Sequence, residues 1–136
     1  MPKTVKRSLL DIAKLDLLTA KTMRGYVSED EKIIDICAYH CQQCVEKVAK
    51  YMILLQGDDY ANDHRADSYL AELHDGDIKR LIQSIHYDID MWATTVRYRG
   101  TIYSGVKAVD SVIATCDEII AAAEKAVEGI DIGNIL

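Results

Sequence analysis

The stretch Tyr39-His-Cys-Gln-Gln-Cys-Val-Glu-Lys-Val-Ala-Lys50, continued by Tyr51-Met-Ile-Leu-Leu-Gln-Gly57, decides the fold of this 136-residue chain. Apolar side chains recur through it at three- and four-residue steps, which places them on one helix face for about seven turns. Ser28 with Glu31 is typical of a capping box at a helix start, and Gly57 of a left-handed C-cap. We therefore predict a long amphipathic helix from about Glu29 to Gln56, with a polar stripe formed by His40, Gln43, Lys47 and Lys50.

The rest of the chain predicts further helices and no strands, because strand-like alternation is absent and the one proline lies at position 2. We expect long helices at about Val5–Arg24, from Asp77 to about Arg99 and from Val106 to Gly129, and a short helix near Ala66–His74. The fold prediction is all-α: an up-and-down four-helix bundle with a short extra helix between helices two and three, forming a single domain over residues 1–136.

Charge and hydrophobic content argue against several classes of protein. The net charge of −6 and the pI of about 5.1 disfavour generic binding to a phosphate backbone. Hydrophobic residues make up 49% of the chain, yet no apolar run approaches the length of a membrane span. Asp11, Lys14 and Asp16 interrupt the apolar stretch near the N-terminus, which argues against a signal peptide. We expect a globular protein in the cytoplasm, without a membrane association.

The second helix resembles that of the HEPN family, small prokaryotic four-helix proteins whose members carry an aromatic residue or histidine, then Gln-Gln-Ala-Val-Glu-Lys, then an apolar run ending in glycine. Here the corresponding letters are His40-Cys-Gln-Gln-Cys-Val-Glu-Lys47, with Cys44 in place of the alanine. Ala13–Ala20 is similar to the family's first helix. Val96-Arg97-Tyr98 resembles an Ala-Arg-Tyr near the end of its third long helix, and Asn62-Asp63-His64 loosely resembles a turn before that helix.

Ribonuclease members of this family carry an arginine followed, after four to six residues, by a histidine. The histidine activates the RNA 2′-hydroxyl and the arginine stabilises the developing phosphorane charge, without a metal. Arg97 stands at the corresponding position, but the three allowed partners are Ile102, Tyr103 and Ser104. Since a tyrosine is no general base near neutral pH, the catalytic motif is predicted to be degenerate.

Arg97, Tyr98, Arg99 and Tyr103 form the best candidate binding site. An arginine offers a planar fork to phosphate, and a tyrosine can stack on a base. Lys47 and Gln43 complete this nucleotide or phosphate site if the polar stripe of helix two faces helix three. The alternatives for these two residues are a solvated face and a dimer seam; for the arginines, it is ion pairing at a helix end.

A second arginine–histidine spacing occurs at Arg80 and His86. Within one continuous helix these side chains point away from each other, so a catalytic pair would need a second subunit. The acidic pairs Asp58-Asp59 and Asp88-Asp90 are predicted to be surface charge.

Cys37, Cys41 and Cys44 have the spacing of an iron–sulfur motif, but positions 0, 4 and 7 of a helix share the narrow arc of the apolar face. We interpret them, with Cys116, as reduced core thiols. His40 is placed at the edge of the core, and no metal site or cofactor is expected.

The resemblance implies a non-catalytic HEPN module that binds a nucleotide or RNA and acts with a small nucleotidyltransferase partner, as in toxin–antitoxin pairs, and that forms a homodimer. Two alternatives remain open. A ribonuclease toxin requires Arg97 or Arg80 to meet His86 or His64 across a homodimer boundary. A purely structural helical bundle requires no ligand at all.

Overall fold

The computed structural model describes the backbone of residues 2–99 and 105–135 and the side chains of residues 9–94 and 105–128. The regular secondary structure of that part of the chain is all helical, as predicted, and consists of six helices. They are α1 (Pro2–Arg24), α2 (Ile33–Leu55), α3 (Ala66–Glu72), α4 (Asp77–Ser84), α5 (His86–Arg99) and α6 (Val106–Ile135). None of the described helices is long and apolar enough to cross a membrane.

Helix α2 is the centre of the fold, since it packs against α1, α3, α5 and α6. Its predicted apolar face is confirmed: Cys37, Cys41 and Val45 are completely buried. The helix is also buried on its other faces, where Gln42, Glu46 and Lys50 are each less than a tenth exposed. Within the polar stripe, Gln43 and Lys50 are buried and the side chains of His40 and Lys47 are only about a quarter exposed, so these groups need partners inside the protein.

The predicted C-cap of α2 is confirmed. Gly57 has φ 94°, in the left-handed region that favours glycine. Its amide donates to the carbonyl of Leu54 at 3.1 Å, and the amide of Asp58 donates to that of Ile53 at 3.1 Å. This pair of hydrogen bonds is a Schellman motif, which terminates the helix.

The predicted capping box at the start of α2 is wrong. The helix begins at Ile33 rather than near Glu29, and the residue before it, Lys32, makes no side-chain capping bond. Instead, the amide of Lys32 donates to Asp30 Oδ1 at 2.9 Å, and turns occupy residues 25–29 and 31–32. These turns satisfy the backbone locally and leave the Ser28/Glu31 pair outside the helix.

The third long helix is also not continuous. It is divided into α4 and α5 at Ile85, which has φ −118° and ψ 14°. Neither glycine nor proline lies near this break, so local backbone preference does not explain it. The Ile85 side chain is buried in the core, and we therefore attribute the division to tertiary packing. The predicted stop of α6 at Gly129 is wrong as well, because α6 continues to Ile135.

Candidate functional site

Asp16 of α1 is the partner that the polar stripe of α2 requires. Its Oδ2 accepts a hydrogen bond from Lys47 Nζ at 2.5 Å, and its Oδ1 lies 2.9 Å from His40 Nδ1. Asp16 is only 9% exposed, on the inward face of α1 with Leu17 and Ala20. A carboxylate in such a place is stable when a cation and hydrogen-bond donors compensate it.

Gln43 and Gln42 extend this network along α2. Lys47 Nζ donates to Gln43 Oε1 at 3.3 Å, Gln43 Nε2 donates to Gln42 Oε1 at 2.8 Å, and Gln42 Nε2 donates to Glu46 Oε1 at 2.9 Å. A solvated face was one of the two alternatives predicted for Gln43. It does not describe this residue, because Gln43 is buried. The chain of hydrogen bonds links Asp16 to Glu46, two carboxylates that lie on different helices.

Glu46 is the second charged centre. Lys50 Nζ donates to its Oε2 at 3.1 Å, and His64 Nδ1 lies 3.0 Å from the same atom. Burial raises the pKa of Glu46, but the hydrogen bonds from Gln42, His64 and Lys50 together outweigh burial and lower it below its ordinary value. The Lys50 ammonium also lies 5.0 Å from the centre of the Tyr60 ring, within the range of a cation–π contact.

The side chains of the binding residues predicted at the end of α5 lie outside the described residues. Arg97, Tyr98 and Arg99 belong to α5 by backbone, whereas Tyr103 lies outside the described residues. Lys47 and Gln43 lie on α2, which packs against α5. In the described part of the chain, the Lys47 charge is compensated by Asp16.

Arg80 and His86 have separate acidic partners. Arg80 donates to Asp77 one turn earlier in α4, and His86 Nε2 lies 2.8 Å from Asp67 Oδ1 of α3. Because α4 ends before His86, the single-helix geometry expected for the pair does not apply.

The prediction that the cysteines belong to the core is confirmed, because Cys37, Cys41, Cys44 and Cys116 are all fully buried. Cys116 Sγ lies 3.9 Å from the carbonyl oxygen of Cys41. Hydrogen bonding to Cys41 and Cys44, together with burial, raises the pKa of Cys116, and burial raises that of Cys37 to about 11. Cys37 and Cys116 are therefore protonated at neutral pH and are weak nucleophiles.

A cavity of about 460 Å³ lies between the end of α2, the start of α4 and α6. Its lining includes the apolar residues Met52, Leu73 and Ile78 and two lysines, Lys79 and Lys125. Lys79 donates to the carbonyl of Leu73 at 3.2 Å. The volume falls within the range of small-molecule sites.

Sequence reasoning missed Asp16, Asp67 and Asp90 as functional candidates. Asp16 had a usable signal, since it interrupts the apolar face of α1 and a charge there must be paired. Asp90 was predicted to be surface charge, but it is half-buried and its Oδ1 accepts the Ala66 amide at 3.2 Å. No sequence signal links Asp90 to α3, because that contact depends on how α3 packs against α5.

Comparison with known proteins supports one assignment. The family model described as HEPN domain matches residues 7–126, which is most of the chain. The comparisons with curated proteins and with solved structures returned no match. The match covers most of α1, all of α2 to α5 and most of α6, including the Gln-Gln-x-Val-Glu-Lys stretch whose side chains form the hydrogen-bonded network of α2. The chain therefore belongs to the HEPN domain family.

Proposed function

We propose that this protein is a binding module of the HEPN family that recognises a nucleotide or an RNA phosphate and acts with a small nucleotidyltransferase, in a toxin–antitoxin-like pair. The observation that carries the proposal is the family match together with the absence of histidine at positions 102–104 after Arg97. Such a chain retains the arginine fork for phosphate and lacks the imidazole that the ribonuclease chemistry needs.

The proposed site centres on Arg97, with Tyr98, Arg99 and Tyr103 as stacking and phosphate-binding partners. Lys47 and Gln43 join it from α2. A bound phosphate would compete with Asp16 for the Lys47 ammonium, which is about a quarter exposed and therefore reachable from solvent. The His40 contact to Asp16 then supports the carboxylate that Lys47 leaves.

Thermal unfolding with saturating ATP or GTP tests this proposal. A ligand at 100 times its Kd stabilises the folded state by about 2.7 kcal/mol and raises Tm by several degrees. We expect Arg97→Ala to abolish the increase and Arg80→Ala, which removes an exposed arginine paired with Asp77, to retain it. If Lys125→Ala abolishes the increase and Arg97→Ala does not, the ligand occupies the cavity beside α6 instead.

Two further results distinguish the other functions. RNA cleavage by the purified chain in the presence of EDTA, abolished by Arg97→Ala or His86→Ala, would replace the binding module by a ribonuclease with a composite site. A chain that neither cleaves RNA nor gains stability from any nucleotide, and that retains no nucleotidyltransferase in a pull-down, would be a purely structural bundle.

We also propose a homodimer. Ile12, Leu15 and Leu18 of α1 are 44%, 60% and 58% exposed and follow one another at three-residue steps, so they share one face of the helix. An apolar face of this kind on a described surface supports pairing with a second copy of the chain.

A further inference from the structure

Three side chains with metal-binding atoms converge where α3 and α5 begin. Asp67 is the second residue of α3, His86 is the first residue of α5, and Asp90 lies one turn further along α5. One nitrogen or carboxylate oxygen from each lies within 4.8 Å of those of the other two. Within the described part of the chain, no other group of three histidine, cysteine or acidic side chains meets this condition.

Among the described side chains, the charges of this cluster are incompletely balanced. Two carboxylates lie close together, and Arg65 lies 3.8 Å from Asp67 with both side chains mostly exposed. An ion pair in so open a position contributes little. A cation between Asp67 and Asp90 would relieve their repulsion.

The surroundings of His86 Nε2 also point to a bound ion. His86 Nε2 is shielded from solvent and makes no hydrogen bond, although it lies 2.8 Å from Asp67 Oδ1, because its direction is unfavourable. Buried polar atoms in native proteins nearly always have a partner, which can be a bound ion. This nitrogen therefore lies against a carboxylate at ion-pair distance without a hydrogen bond, an arrangement that an ion held by both groups would explain.

We propose that Asp67, His86 and Asp90 bind one divalent transition-metal ion of the zinc and cobalt type. One imidazole with two carboxylates suits these ions, whereas magnesium and calcium prefer oxygen ligands alone. Ligands of a tetrahedral ion lie roughly 3.4 Å apart. The 2.8 Å contact between His86 and Asp67 would therefore lengthen slightly, and the other separations, none above 4.8 Å, would adjust through small side-chain movements. Three protein ligands leave a fourth position for water or for a ligand phosphate.

Titration of the EDTA-stripped, reduced chain with Co²⁺ and Zn²⁺ tests the proposal. We expect one ion per chain, visible absorption bands of ligated Co²⁺ and a Tm that rises with Zn²⁺. We expect His86→Gln and Asp90→Asn each to weaken binding by at least about tenfold. The loss of even an outer hydrogen-bond partner of a metal ligand costs that much, and the loss of a ligand costs more. Asparagine at position 90 keeps an oxygen for the Ala66 amide, so this variant preserves the contact between α3 and α5.

Matched controls come from the same chain. His74→Gln removes a histidine that lies 3.6 Å from one carboxylate, Asp58, and Asp88→Asn removes a carboxylate of α5 outside the cluster. Both are expected to bind like wild type. Circular dichroism of each variant separates a lost ligand from a lost fold.

Three results would overturn the proposal. The first is the absence of Co²⁺ and Zn²⁺ binding by wild type. The second is equal binding by wild type and a folded His86→Gln chain. The third is a thiolate-to-cobalt charge-transfer band, which would assign the ion to cysteines. The nucleotide experiments use different residues, so their outcome does not decide this one.

Discussion

Glu46 illustrates, at the scale of a residue, why the interior of this protein contains charge. Its carboxylate is 5% exposed, yet it has three donors: Gln42, Lys50 and His64. Lys50 is itself 8% exposed and depends on the same carboxylate. Removing either member leaves the other charge buried without compensation, which strongly destabilises the folded state. Replacing both members by apolar residues would change the stability much less.

We predict that Glu46→Gln destabilises the folded state by about 3 kcal/mol at pH 7. The pKa of Glu46 in the folded state lies below its ordinary value of 4.5. Its contribution is therefore present above pH 4.5 and is lost as the pH falls through the lower folded-state pKa. Urea unfolding across this pH range measures the effect: the difference between wild type and variant shrinks as the solution becomes more acidic.

Glu118→Gln is the control for this experiment, because Glu118 is exposed on α6 and its loss is expected to change stability by less than about 0.5 kcal/mol. A difference between wild type and Glu46→Gln that stays constant or grows toward acid would contradict the role of the ionised carboxylate.

At the scale of an element, α2 is held by its ends and by its surroundings. Its C-terminus is closed by Gly57 and by the side chain of Gln56, whose Nε2 donates to the carbonyl of Glu72 at 2.7 Å. Gln56 Oε1 also accepts the amide of His74 at 3.0 Å. The end of α2 therefore fixes the end of α3, and with it the position of Asp67 and the loop that carries His64.

Gly57→Ala is predicted to destabilise the protein by about 1–2 kcal/mol, because an alanine side chain disfavours the left-handed conformation. An added Cβ at this position would meet no atom within 4 Å, so the cost is conformational rather than steric. Gly25→Ala is the matched control: Gly25 follows α1, has no positive φ and would place its Cβ 3.4 Å from the Thr22 carbonyl. Equal losses in urea unfolding for the two variants would contradict the prediction.

At the scale of the whole molecule, the exposed apolar face of α1 stands apart from the buried network on its other side. Ile12, Leu15 and Leu18 point outward while Ala13, Asp16 and Leu17 point inward. The same helix thus supplies a carboxylate to the interior and exposes an apolar surface. In the homodimer proposed above, a second copy of the chain would bury that surface without changing the interior.

We predict that Leu15→Glu raises the dimer dissociation constant by at least about tenfold, because it places a charge in an apolar interface. Analytical ultracentrifugation of wild type and variant measures this directly. Tyr87→Glu, at a 79% exposed position on α5, is the control and is expected to leave the dimer intact. A monomeric wild type at tens of micromolar, or a dimer unaffected by Leu15→Glu, would contradict the assignment of this face.

The amino-acid sequence determined the helical class, the apolar faces and the glycine that closes α2, because these depend on residue spacing and on local backbone preference. It also determined the family through the residues of α2. Tertiary structure alone decided the break at Ile85, the burial of the polar stripe, the pairing of Lys47 with Asp16, and the meeting of Asp67 with His86 and Asp90. Each of these depends on two segments distant along the chain, and the free energy of burying a polar group depends on which neighbour reaches it.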